Sequence, residues 1–157
     1  AGVNETGMIP RFIQRFEMDY FLLASPYNLL EQTALEEDLP LCLEHGMGVV
    51  LGAVFASGIL AGGDLAGAKF RYQPAAKDIV ERARAMGRIC AEHGVTLAAA
   101  ALQFPLHHPA VNCVIPGANH PDQVVSNLAQ FAVEIPDGLW RELKQAGHLP
   151  PGAPTPS

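Results

Sequence analysis

Four strand-sized apolar stretches recur along the chain, and a stretch of helical periodicity follows each of them. They are "AGV" running into Asn4, "YFLLA" within residues 19–25, "GVVLG" within 47–54 and "VNCVI" at 111–115. Continuous apolar runs of this length are the pattern of strands buried on both faces, as in a parallel sheet covered by helices. The first helix is expected from about Met8 to Phe16, capped by Thr6, with Pro10 tolerable near its start. A second spans about Thr33 to His45, ends at Gly46, and is bent or split by Pro40. Its acidic cluster Glu36, Glu37 and Asp38 reads as a solvated helix start.

The strongest helical pattern is Asp78 to His93. Ile79, Val80, Ala83, Met86, Ile89 and Cys90 form one stripe, and Gly94 ends it. Residues 96–104 add a small-sided helix, His120 to Ala129 another, and "IPDGLWRELKQAG" a last amphipathic one. Residues 55–73 form a long Gly-rich loop, a length that usually serves function or mobility. The expected organisation is one domain over residues 1–149 and a flexible, Pro-rich tail over 150–157.

The order is β-α, four times over, which defines an α/β architecture with parallel strands and helices outside. Four such units make either a small open sheet or half of an eightfold barrel, and right-handed crossovers fit both.

Composition narrows the function classes. The chain has 157 residues, 49% hydrophobic and 17% charged, with mean hydropathy +0.15 and net charge −6. With no Lys/Arg run, this acidic chain is unsuited to nucleic acid or an anionic membrane surface. No apolar stretch is long enough to span a bilayer. Cys42, Cys90 and Cys113 are far apart and read as buried free thiols of a reducing, cytoplasmic compartment. Metal binding is not expected: His107 and His108 are adjacent and point apart, and no ligand spacing accompanies the six histidines. The opening "AGVNE", without a starting Met, reads as the inside of a strand from something longer.

In parallel sheets of this kind, chemistry gathers at the carboxyl ends of the strands. Here those ends carry Asn4, "ASPYN", "GAVFASGIL" and "IPGANHPDQ". The turn at Ser57-Gly58 can aim backbone N–H groups at a phosphate, or can be an ordinary Gly-containing loop. At the fourth end, Gly117 relieves the turn, Ala118 leaves room, and the following helix start offers N–H groups. Gln123 and Asn127 are four residues apart, so they share a helical face and can both bond a heterocycle. The alternative is a capping or surface Asn127 and a solvated Gln123.

"GVN", "PYN", "FASGIL" and "VIPGANHPDQVVSN", in this order, resemble the C-terminal half of the aldo-keto reductases, in the D-threo-aldose (L-fucose) 1-dehydrogenase branch. The resemblance covers nearly the whole chain. It implies a (β/α) barrel of TIM type, this chain supplying roughly the second half. It also implies a nicotinamide dinucleotide lying across the strand ends. Asn4 would bond the nicotinamide carboxamide. Ser57, with the backbone at Gly58 and Leu60, would sit beside the pyrophosphate. Gly117 and Ala118 would lie near the adenosine ribose, with Gln123 and Asn127 beside adenine.

Ala24 and Gly52 depart from the family, which often has a Gln and a stacking aromatic there. The Gly117–Gln123 stretch carries no Lys or Arg for a 2′-phosphate, so NAD is favoured over NADP, though Arg71 or a loop residue could still serve. The implied reaction is hydride transfer involving a sugar C1 or another carbonyl or alcohol carbon. The family's catalytic Asp, Tyr, Lys and His come from its first four strands, so no catalytic residue is assigned here, and Tyr20, Tyr27 and Tyr72 lack the right context. The isolated chain is expected to be inactive, and to pair with an N-terminal half of the same protein or with a copy of itself. The alternative is a non-catalytic half-barrel module.

Overall fold

A computed structural model of the chain describes residues 1–156. Its main sheet has the order β1-β2-β3-β6, all parallel: β1 (Gly2–Val3), β2 (Tyr20–Ala24), β3 (Gly48–Gly52) and β6 (Val111–Ile115). Helices cover one face. Phe21, Leu23, Val49 and Leu51 point into that layer and are fully buried. The other face is open: Tyr20 is 59%, Leu22 38% and Ile115 50% exposed. Burial on both faces is therefore corrected. Alternate side chains of an apolar run face opposite ways, and only one side of this sheet carries a helical layer. Cys113 pairs in register with Val50 and is exposed, so only Cys42 and Cys90 are the buried thiols expected. Desolvation pushes each of those two up to about 11.

The helices α1 (Met8–Ile13), α2 (Asp38–Glu44), α3 (Lys77–Glu92), α4 (Leu97–Gln103), α5 (Pro121–Phe131) and α6 (Asp137–Gln145) follow the predicted order. Two details differ. Gly7, with φ 75°, and not Thr6, begins α1, and its N–H donates to both carboxylate oxygens of Asp38 at 3.2 Å. Asp38 is thus only 1% exposed rather than solvated, and desolvation raises its carboxyl pKa. The Thr33–His45 helix is split, as expected, but ahead of Pro40: it divides into a 3-10 turn at Thr33–Leu35 and α2, whose first turn accommodates Pro40.

The best-patterned helix, α3, buries Ala83, Met86 and Cys90. From it the Arg82 guanidinium donates to the carbonyls of Leu30 (3.0 Å) and His148 (2.6 Å), tying three segments together. Trp140 of α6 packs on Phe104 and His107. Helix α5 buries no residue at all; Val124, Leu128 and Phe131 are half or more exposed or nearly so, beside an apolar groove of about 340 Å³ along β6. The segment expected to be a free tail starts with a Pro150–Ala153 turn that seats Ala153, 2% exposed, in the core; Ser157 lies outside the described residues.

The long loop is partly ordered. After a 3-10 turn at Ala56–Gly58 it forms an antiparallel hairpin, β4 (Lys69–Phe70) and β5 (Gln73–Pro74). Arg71 and Tyr72 connect the strands with φ 49° and 64°, the backbone of a type I′ turn built without glycine.

Candidate cofactor-binding site

Past the carboxyl ends of β2, β3 and β6 lies an open cavity of about 1000 Å³. Its walls are the Ser25–Asn28 loop, the turn from Ala53 to Gly58, the β4–β5 hairpin, the start of α4 at Thr96, the Gly117–Asn119 loop and one face of α5. Ser25, Ala53, Ala56, Ser57, Arg71 and Tyr72 are the non-glycine residues with positive φ among the described residues, and all six line this cavity. Each such residue costs roughly 1 kcal/mol relative to an ordinary conformation. Strain of this kind collects at sites where it serves a ligand.

Six of the eight sequence-predicted residues come together there: Ser57, Gly58, Gly117, Ala118, Gln123 and Asn127. Gly58 has φ 95° and needs to be glycine. Gly117 does not: its φ is outside the left-handed region, and an added Cβ meets nothing within 4 Å. The turn therefore does not require it, and its missing side chain leaves space in the cavity. Gln123 and Asn127 share the α5 face as the spacing implied. The Gln123 Oε1 already accepts the Asn119 N–H at 2.8 Å, which pins the Gly117–Asn119 loop to α5.

Two residues stand apart. Leu60 is fully buried in the core, and its N–H donates to the Phe55 carbonyl at 3.2 Å. The Gly58 N–H donates to the same carbonyl at 2.9 Å, so neither of the turn amides assigned to a phosphate is free. Asn4 is exposed at the end of β1, outside the cavity. It lies at the same sheet end as Asn127 but on the opposite edge strand, three inter-strand steps or about 14 Å from β6. Between them Ala24 and Gly52 pair in register, leaving a shallow open strip where larger side chains would project.

Electrostatics single this cavity out. The chain carries sixteen acidic and ten basic residues, yet no carboxylate lines the cavity, and Lys69 and Arg71 do. Arg71 pairs with Glu31. The Tyr72 N–H donates to Ser57 Oγ at 3.1 Å, so the hairpin and the Ser57 turn form one wall. Lys69 and the hairpin were missed from the sequence. The signal was the alternation of cation and aromatic in "KFRY", a period of two inside a Gly-rich stretch. Thr96 and Gln130, which hydrogen-bond to each other, were missed as well. Gln103 Nε2 donates to the carbonyls of Gln130, Phe131 and Val133, holding the end of α5 in place.

No tyrosine here is set up as a proton donor. Tyr27 is buried, with its pKa raised by desolvation; Tyr20 sits on the open sheet face; Tyr72 is 83% exposed at the hairpin tip. Among the described residues no three His, Cys, Asp or Glu gather into a metal site, and no helix is long and apolar enough to cross a membrane.

Residues 10–148 match the model of the Aldo/keto reductase family, and the chain belongs to that family. It is 41% identical to pyridoxal 4-dehydrogenase of Microbacterium luteolum over 146 residues, which is 93% of this chain and 43% of that protein. It is 37% identical to D-threo-aldose 1-dehydrogenase of Pseudomonas sp over 143 residues, 90% of this chain and 44% of that one. The chain thus spans less than half the length of these curated relatives. An aldo-keto reductase of Bacillus halodurans, in its holo form, superposes with TM-score 0.68 at 23% identity, over 92% of this chain and 48% of that one. That likeness establishes the fold: a parallel α/β sheet with helices that corresponds to about half of a TIM-type barrel.

Proposed function

We propose that the cavity holds the adenosine and diphosphate end of a nicotinamide dinucleotide, and that this chain is the cofactor-binding half of an oxidoreductase. The carrying observation is the cation-bearing, carboxylate-free lining of a large cavity in an acidic chain. An anionic ligand is what such a lining stabilises. The vacant space beside Gly117 and the small side chain of Ala118 suit a ribose, and the amides of Gln123 and Asn127 suit a heterocycle edge. Asn4, at the far edge of the same sheet end, would hold the carboxamide of an extended cofactor. No Lys or Arg occupies the Gly117–Asn127 segment, which supports NAD over NADP.

When bound, the cofactor supplies hydride chemistry. The residues of this chain bind and orient it: α5 and the Gly117 loop fix one end, and the Ser57 turn with the hairpin flanks the middle. The open face of the sheet, with Leu22, Val50, Gly52 and Ile115, lies beneath the path to Asn4. The substrate class is a sugar oxidised at C1 or another small carbonyl or alcohol. Acid–base residues come from an N-terminal half, so the isolated chain is inactive. The open face and the apolar flank of α5 pair with that half, or with a second copy.

Turnover assays of the 157-residue chain with NAD and a panel of aldoses and pyridoxal-type alcohols test the division of labour. No turnover alone, with turnover restored by an added N-terminal half, is expected. Turnover by the chain alone contradicts it.

A further inference from the structure

We infer that Lys69 is the charge partner of the dinucleotide's diphosphate, so that the β4–β5 hairpin, and not the Gly58 and Leu60 amides, carries that interaction. The inference rests on the dinucleotide reading above and adds to it a residue that the sequence pattern did not single out.

A diphosphate in a dinucleotide bears two negative charges and needs cations or free N–H donors. Two of the turn's donors are taken: the Gly58 and Leu60 amides are both closed onto the Phe55 carbonyl. The Ser57 hydroxyl accepts from the Tyr72 amide and keeps a single proton to give. Arg71 is committed to Glu31. Lys69 is exposed, lines the cavity and has no ion-pair partner among the described residues. Its strand, β4, packs directly on the Ala56–Gly58 turn. Two links hold it there, the Tyr72–Ser57 hydrogen bond and the Arg71–Glu31 pair on either side of the hairpin tip. An ammonium on a flexible stem, delivered beside a turn whose Gly58 and Leu60 amides are already bonded, is placed for the middle of the ligand and not for its adenine end.

The test is equilibrium binding of NADH, NADPH and adenosine to the 157-residue chain and to its Lys69→Gln and Lys69→Arg variants, followed by calorimetry at two salt concentrations. Lys69→Gln is expected to weaken NADH by about tenfold or more, the size of a lost charge-assisted hydrogen bond, and to flatten the salt dependence. Adenosine, which lacks phosphate, binds the variant as it binds the parent, and Lys69→Arg retains most of the NADH affinity. Undiminished NADH binding by Lys69→Gln overturns the inference. So does a loss confined to NADPH, which would put Lys69 at the 2′-phosphate, or an equal loss for adenosine, which would make its role structural. If the parent chain binds neither NADH nor adenosine, the dinucleotide reading itself is wrong, and the inference falls with it.

Discussion

The backbone amide of Tyr72 donates to the hydroxyl oxygen of Ser57 at 3.1 Å, joining a hairpin tip to a strand-end turn fifteen residues earlier. Both partners have left-handed backbones, so two strained residues hold each other in place. A segment that composition marks as a loose loop becomes a wall of the cavity through this bond.

Ser57→Ala removes the acceptor. The expected cost in global stability is small, about 1 kcal/mol or less, because the bond is exposed. The hairpin itself should open more often. Limited proteolysis near Arg71 is expected to speed up several-fold while the urea midpoint barely moves. Equal protection in parent and variant would mean that the bond does not hold the hairpin.

Strain at the cavity rim has a readable energy. Ala53 sits at φ 57°. Ala53→Gly relieves the Cβ clash of that conformation, partly offset by a freer unfolded chain, for a net gain of up to about 1 kcal/mol. Chemical denaturation measures it. A net loss would mean that the methyl group packs well enough to outweigh the strain.

Acid should weaken the fold. His107 and His108 are held below the usual histidine pKa by desolvation, and His148 by desolvation with Arg82 and Arg88 nearby. The cause is concrete for His108, 6% exposed, whose Nδ1 accepts the Ala110 N–H at 3.1 Å and loses that bond on protonation. The unfolded chain takes up these protons near pH 6.5, the folded chain only at lower pH. Stability from these groups is therefore complete above about pH 6.5 and declines as pH falls below it. Urea midpoints between pH 8 and pH 5 check the sign, and His108→Asn should shallow the decline.

Leu128 is 68% exposed on a helix that buries nothing. Leu128→Glu should change the stability of the chain alone by no more than about 0.5 kcal/mol. If that face pairs, as proposed, the same substitution disrupts association. Light scattering after gel filtration should then show a shift toward monomer, or lost assembly with an N-terminal half.

Much of this was legible in the sequence because it rests on uninterrupted patterns. The strands at Tyr20–Ala24, Gly48–Gly52 and Val111–Ile115 are apolar runs between turn residues, and α3 is a long single stripe. Six of eight site residues lie together because parallel topology brings the strand ends to one side. What was not legible depends on tertiary partners. An apolar run does not say which of its faces is left uncovered, so the pattern alone places Tyr20, Leu22 and Cys113 in the interior, whereas all three are exposed. Asp38 is buried because Gly7, thirty-one residues away, meets it. The hairpin turns on Arg71 and Tyr72, where Asn-Gly or Gly-Gly would have announced it. The amides of Gly58 and Leu60 are occupied by a carbonyl within their own turn, which residue identities do not reveal.

Gly117 offers the most direct measurement. Its backbone does not need glycine, and a Cβ there meets no protein atom within 4 Å, so Gly117→Leu should leave folding intact. Titrating NADH into the parent chain and into Gly117→Leu, with circular dichroism and urea midpoints recorded for both, separates binding from stability. Saturable binding by the parent and its loss in an equally stable variant is the expected result. Equal affinity in both proteins would contradict a dinucleotide lying between the Ser57 turn and α5.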